Sequence, residues 1–256
     1  MSTVLVESQN NISYIYLNRA ERYNAINKEM LEELLRVVET VEKNEDSIVI
    51  LAGKGKAFSA GGDVGMMKDF ADSAFFDGIM KTIERIVLKL YMMPKIVISA
   101  LQGSAAGLGL SLALTADYVI AQRESKLGVL FMGIGLAPDG GGHFLLKERL
   151  GIHQAKQFIW GMKQVDASQA KEMGLVDIIT DKQVMEEATE VGNKLLATPL
   201  TAALKTKEMY HSTQKETLRY YLEEEAKTQW KLRNTDDHQE GVQAFLEKRK
   251  PKFIGK

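Results

Sequence analysis

Two short stretches carry small residues where backbone chemistry can be done: AFSAGGD at Ala57–Asp63 and GSAAGLG at Gly103–Gly109. Each follows a continuous apolar run, and each leads toward helical sequence. A loop of small residues there lets backbone N–H groups converge on a ligand with no side chain in the way. The N-terminal end of a following helix adds positive potential. Phosphate binding is one use of such loops, but neither has the Walker spacing with Lys-Ser/Thr nor the spacing GxGxxG. The plainer reading of both is a tight turn or close packing. His153, His211 and His238 show no metal-ligand spacing. The chain has no cysteine, which removes disulfides, thiolate metal sites and a cysteine nucleophile together.

These loops need a frame, and the apolar pattern supplies one. Val4–Glu7 and Ile12–Leu17 read as strands joined by a turn at Gln9-Asn10-Asn11. Asn27 reads as the N-cap of an amphipathic helix from Lys28 to about Glu42, with Met30, Leu31, Leu34, Leu35, Val38 and Val41 on its apolar face. Ile48–Ala52, Ile96–Leu101 and Tyr118–Ala121 are short continuous apolar runs, the pattern of strands covered on both faces. A helical stretch from about Asp72 to Tyr91 separates the first two. Strand, small-residue loop and helix, repeated, predict an α/β core with parallel strands and crossover helices. From about Gly151 onward the pattern is helical, with capping signals at Asp166, Ser168, Asp181 and Thr198-Pro199 and a last amphipathic segment from Asp236 to about Lys248. The expected division is a core over 1–196 and a helical extension over 197–256.

Several segments, in this order, resemble the enoyl-CoA hydratase/isomerase (crotonase) family along essentially the whole chain. They are LNRAERYNAI (Leu17–Ile26, with Ala20 where the family usually has proline), AFSAGGD, KIVISAL, GSAAGLGLSLAL, IGLAPDGGG (Ile134–Gly142) and FLEKRKPKF (Phe245–Phe253). The resemblance implies a ββα spiral core with a helical C-terminal part, assembled as trimers or hexamers. It also implies an oxyanion hole made by the backbone N–H groups of Gly62 and Leu108, holding the enolate of a thioester. Losing one such donor typically costs about 3–4 kcal/mol of transition-state stabilisation.

The two glutamates of the family's hydratases fall on Ser111 and Phe131, neither of which can replace a carboxylate. Asp139 matches members that use an aspartate at this place, including ring-opening and double-bond isomerases of the phenylacetyl-CoA pathway. Pro-Asp-Gly ahead of a helix is equally a turn and N-cap signal. The leading expectation is enoyl-CoA isomerisation with Asp139 as the acid/base. A hydratase, a thioester hydrolase and a non-catalytic acyl-CoA binder are the alternatives.

For coenzyme A, the resemblance implies Arg22 at a phosphate, the backbone around Ala60 and Asp63 at the adenine, and Phe245 and Lys248 closing over the nucleotide. Plainer readings make Arg22 a solvated turn residue, Phe245 core, Lys248 one charge of EKRKPK, and Asp63 a structural hydrogen-bonding residue. Met66, Leu130, Phe131 and Met132 are the expected acyl-pocket wall. The stretch Val64–Phe76 is a methionine-rich neighbour of the first loop, flexible enough to adapt to an acyl group or ordinary core. No metal and no cofactor beyond the CoA of the substrate is expected. His143, beside Asp139, is more readily structural than a proton shuttle.

Composition bounds the alternatives. With 256 residues the chain buries roughly three quarters of its unfolded surface, so it needs no staples. Lys+Arg 33 against Asp+Glu 34 argues against bulk binding to nucleic acid or an anionic membrane. The helix at Lys28–Glu42 carries too many glutamates for RNA binding. The opening residues read as a strand pair, not a signal peptide, and no apolar run reaches the roughly 18 residues of a spanning helix. The expected location is cytoplasmic.

Overall fold

A computed structural model describes the backbone of residues 2–256 and the side chains of 2–66 and 70–256. Strand β1 (Val4–Gln9) pairs antiparallel with β2 (Ile12–Leu17) through a two-residue turn. Asn10 and Asn11 both take left-handed backbone there, with φ of 54° and 65°, the geometry that matches a hairpin's twist. Strands β3 (Ile48–Gly53) and β4 (Ile96–Leu101) follow; two short strands later in the chain, Tyr118–Gln122 and Ile178–Thr180, complete a six-stranded sheet. Every pairing after the hairpin is parallel.

Both faces of this sheet are covered, which explains the continuous apolar runs. In β3, Ile48, Ile50 and Ala52 face one layer, with Val184, Ala188 and Val191 of a late helix. Val49 and Leu51 face the other and larger layer, with helices α1 (Lys28–Val41) and α2 (Ser73–Tyr91). The six apolar positions expected in α1 are the six that are buried. Asn27 caps it by accepting the Met30 amide at 3.0 Å, and Asp72 caps α2 through the Ala74 amide at 2.9 Å.

A second sheet carries the loop after β4. It contains β5 (Ser104–Ala106), the strand Lys126–Gly128 parallel to it, and Gln164–Asp166 antiparallel to the latter. In chain order we number Tyr118–Gln122 β6, Lys126–Gly128 β7, Gln164–Asp166 β8 and Ile178–Thr180 β9. The helices after α2 are α3 (Leu108–Ala113), α4 (Gly142–Trp160, interrupted at Gly151), α5 (Ala167–Met173), α6 (Val184–Leu196), α7 (Leu200–Leu232) and α8 (Asp236–Leu246).

The region after Gly151 therefore departs from the all-helical expectation. Strands β8 and β9 have three residues each, too short for an alternating pattern to show. Asp166 does cap α5, in a reciprocal box with Gln169, whereas Ser168 lies inside that helix. Neither Asp181 nor Thr198 caps a helix; Gln183 and Pro199 stand at the starts of α6 and α7 without side-chain caps. Helix α7 packs against α2 and α4, so residues beyond 196 lie against the α/β core. Among the described residues no helix is long and apolar enough to cross a membrane.

Candidate active site

The two small-residue loops lie side by side. Phe58 N–H donates to Gln102 O at 2.8 Å, Ser59 N–H to Ser104 O at 3.0 Å, and Ala106 N–H to Ser59 O at 2.9 Å. This parallel stitching brings Gly61 against Ala106: a Cβ on Gly61 would sit 2.8 Å from the Ala106 carbonyl, and its φ is +97°. Gly107, with φ 52° and ψ −129°, turns the chain sharply into α3 in a conformation that side chains resist. The residues that follow these two glycines are Gly62 and Leu108. Neither backbone amide has an acceptor among the described residues. For Leu108 the reason is general, since the first amides of a helix have no partner within it. Both residues line one cavity of about 400 Å³.

Asp139 lines the same cavity. Its backbone is held by Ser111, whose hydroxyl donates to Asp139 O at 2.8 Å. Ser111 is itself buried and takes no part in the cavity wall. The next residue, Gly140, packs against the Leu108 side chain, which sets the carboxyl beside the start of α3. Oδ2 of Asp139 accepts from Gln229 Nε2 at 3.3 Å, while Oδ1 is buried without a hydrogen-bond partner. Burial, and then the charge of Glu225, push this carboxyl up to about 8; the Gln229 contact opposes them. At neutral pH it is therefore mostly protonated.

The helix-cap reading of Asp139 does not hold. The start of α4 is capped from a distance by Glu225 of α7, whose carboxylate accepts the amides of Gly141 at 2.7 Å and His143 at 3.0 Å. Its Oε1 also lies 2.8 Å from His143 Nδ1, so this histidine is tied into the cap. Glu225 is only 3% exposed, yet both of its oxygens accept backbone amides, which is how a buried carboxylate is tolerated.

Of the other expected residues, Met66, Leu130 and Phe131 line the cavity. The Phe131 ring lies over Gly107, 3.6 Å from where a Cβ would be. Met132 does not line it. Residues Phe131–Ile134 form a single 3-10 turn, in which neighbours point to different sides, and Met132, partly buried, packs against the main core away from the cavity wall. From Val64–Phe76, Met66, Phe70 and Phe76 reach the cavity; the side chains of 67–69 lie outside the described residues.

Ala60 and Asp63 sit on the rim. The Ala60 amide is already used by Tyr23 O at 2.9 Å, and Asp63 is held by Arg19 Nη1 at 3.0 Å and the Gly65 amide at 3.0 Å. Phe245 lines the mouth and is 58% exposed. Arg22 and Lys248 are exposed and are not part of the cavity wall. Among the described residues no cluster of His, Asp and Glu is arranged to hold a metal.

Sequence reading passed over the contribution of α7. Glu225 and Gln229, with Arg233 one turn beyond, continue a buried stripe that begins at Leu218 and Leu222. The alternation of four- and three-residue steps is a usable signal, but the change from apolar to polar types makes the stripe look solvated.

Comparison with known proteins is consistent across sequence and structure. The family described as Enoyl-CoA hydratase/isomerase matches residues 7–256. The Bacillus subtilis protein YhaR, provisionally named an enoyl-CoA hydratase/isomerase, is 48% identical over 94% of this chain and 95% of its own. The 1,2-epoxyphenylacetyl-CoA isomerase of Escherichia coli is 33% identical over the full length of both chains, 100% of each. A crystal structure of an enoyl-CoA hydratase from Mycobacterium avium subsp. paratuberculosis superposes with a TM-score of 0.89 at 28% identity, covering 98% of each chain.

Proposed function

The chain belongs to the enoyl-CoA hydratase/isomerase family, and we propose that within it this protein moves a double bond in an enoyl-CoA, with Asp139 as the single acid/base. The observation that carries this is the pairing of two acceptor-free amides with one adaptable carboxyl in the same cavity. The thioester carbonyl oxygen lies between the N–H groups of Gly62 and Leu108, which are preorganised for the charge that grows on it. Asp139 removes a proton at one carbon and returns it two carbons away.

The basicity of this carboxyl suits that task. A carboxylate near its ordinary value is a weak base toward a carbon acid, whereas one near 8 loses less in the transfer and still ionises at working pH. Among the described residues Asp63 is the other carboxylate on the cavity wall, and Arg19 and the Gly65 amide already engage both of its oxygens. Ser111 and Phe131 put no carboxylate at the places of the hydratases' glutamates, which disfavours hydration. Two relatives named as isomerases, the Escherichia coli protein above and a trans-2-decenoyl-[acyl-carrier-protein] isomerase of Streptococcus mutans at 31% identity, are in keeping with the same choice. No cofactor beyond the CoA carried by the substrate enters this scheme. Assembly as a trimer or hexamer belongs to the proposal as well; sedimentation as a stable monomer at micromolar concentration would refute that part.

The test is deuterium exchange at C-2 and C-4 of a 3-enoyl-CoA in D2O, with 2-enoyl-CoA and 3-hydroxyacyl-CoA followed by mass. Exchange and bond migration that Asp139→Asn abolishes, with acyl-CoA binding kept within a few-fold, are the expected result. Dominant 3-hydroxyacyl-CoA would make the protein a hydratase, and undiminished turnover in Asp139→Asn would remove that residue from the mechanism.

A further inference from the structure

Among the described residues, one permanently charged cation lies on the wall of the cavity. Arg233, just past the end of α7, lines it among mostly apolar neighbours. Its guanidinium carbon sits 5.0 Å from the ring centre of Trp230, 5.5 Å from that of Phe76 and 5.6 Å from that of Phe70. Nη1 is buried, and among the described residues it has no hydrogen-bond partner and no carboxylate lies within ion-pairing distance. Burial lowers the pKa of the group, but an arginine stays charged in any such setting. Three aromatic faces offset part of the cost of a desolvated cation; they supply no acceptor for its N–H groups. A half-buried charge held in this way is an unusual wall for a plain hydrocarbon tail.

Its position along the site is also informative. Gln229 touches Asp139, and Arg233 is one helical turn further, about 6 Å along the axis of α7. The carboxyl that works on the carbons next to the thioester is therefore separated from the cation by a short acyl chain. His238 shares that end of the cavity. Its Nδ1 lies 2.8 Å from the Ile134 carbonyl and so carries the proton in the neutral ring, which leaves Nε2 as an acceptor, not a competing anion.

We propose that the acyl group of the substrate ends in an anion, in the simplest case a carboxylate, which Arg233 pairs with at the far end of the cavity. This deepens the acyl-CoA reading above and rests on it for the placement of the thioester. A guanidinium and a carboxylate form paired N–H···O bonds of fixed geometry, and the apolar floor around them keeps the pair from being screened. Such a charged hydrogen bond is worth about thirtyfold in affinity, the equivalent of about 2 kcal/mol.

Calorimetric binding of hexanoyl-CoA and adipoyl-CoA tests this without requiring turnover, because the two differ only in the terminal carboxylate. The wild-type protein is expected to bind adipoyl-CoA about thirtyfold more tightly. Arg233→Met, which keeps the bulk but not the charge, is expected to bring that ratio to one or below. Arg233→Lys should restore it only in part, since an ammonium cannot make the paired contact. A wild-type ratio near or below one, at this length and with the octanoyl and suberoyl pair, overturns the proposal, and that result stands even if Arg233→Met fails to fold. A ratio unchanged in a folded Arg233→Met also overturns it. If neither thioester exchanges its C-2 proton while the binding ratio holds, the enolate reading fails and the anion-ended acyl group survives.

Discussion

Replacing Asp139 with Asn tests the ionisation of this carboxyl with no substrate present. In the folded protein, burial and the neighbouring Glu225 push it from an ordinary 3.8 up to about 8. In the unfolded chain it returns to the ordinary value, so between those limits the native state holds one more proton than the unfolded state. The stability linked to that proton is fully present below the lower limit and is lost as pH rises through the upper one. At about 1.4 kcal/mol per pH unit, the interval from 3.8 to about 8 amounts to about 6 kcal/mol. Asparagine has no such dependence. The stability of Asp139→Asn minus that of wild type is therefore expected to grow by about 4 kcal/mol between about pH 5 and about pH 8, then level off. Urea unfolding of both proteins at one protein concentration and ionic strength, in steps from about pH 5 to about pH 9, measures the difference. A gap that stays flat across that range would refute the reasoning, because it would mean the carboxyl titrates like an exposed aspartate.

Other perturbations follow from the same geometry. Glu225→Gln removes the charge that helps raise Asp139, so the rising limb of the pH–rate profile for C-2 exchange should move to lower pH; a limb that stays in place would exclude the coupling. Gly107→Ala forces a side chain into φ 52°, ψ −129°, at a cost of about 1–3 kcal/mol. Displacing the Leu108 amide should also lower exchange by about 100-fold or more, and full activity in that variant would show that the amide is not used. Lys207, 9% exposed, donates to Asp117 at 2.7 Å and to the Lys95 carbonyl at 2.9 Å. Lys207→Met leaves Asp117 without its cation and should cost about 3 kcal/mol by urea unfolding; a change within about 0.5 kcal/mol would mean the pair contributes nothing.

Much of the frame was legible because single segments carry their own instructions. The apolar face of α1, the cap at Asn27, and the strands β3 and β4 each follow from residues close in sequence. The two loops were legible as a pair, since glycine at positions 61 and 107 answers a local demand of the backbone. What could not be read are the roles assigned by distant partners. Pro138-Asp139-Gly140 spells a cap, and only the arrival of Glu225 frees Asp139 from that duty. Met132 and Phe131 are equivalent as sequence and differ in which way a 3-10 turn points them. Glu225, Gln229 and Arg233 look like surface residues of a long polar helix until the groups they meet are known.

The site therefore has two layers of different durability. The proposed oxyanion position is written in backbone, in the stitching between the loops after β3 and β4, and is largely indifferent to the side chains around it. The readiness of Asp139 to hold or release a proton is set first by its burial and then by Glu225 and Gln229 on one face of α7, a helix that contributes no part of that stitching. Substitutions along this face can retune proton transfer, or the acyl group accepted beside it, while the carbonyl-holding frame stays intact. Evolutionary change of reaction on this scaffold can thus proceed one helix face at a time.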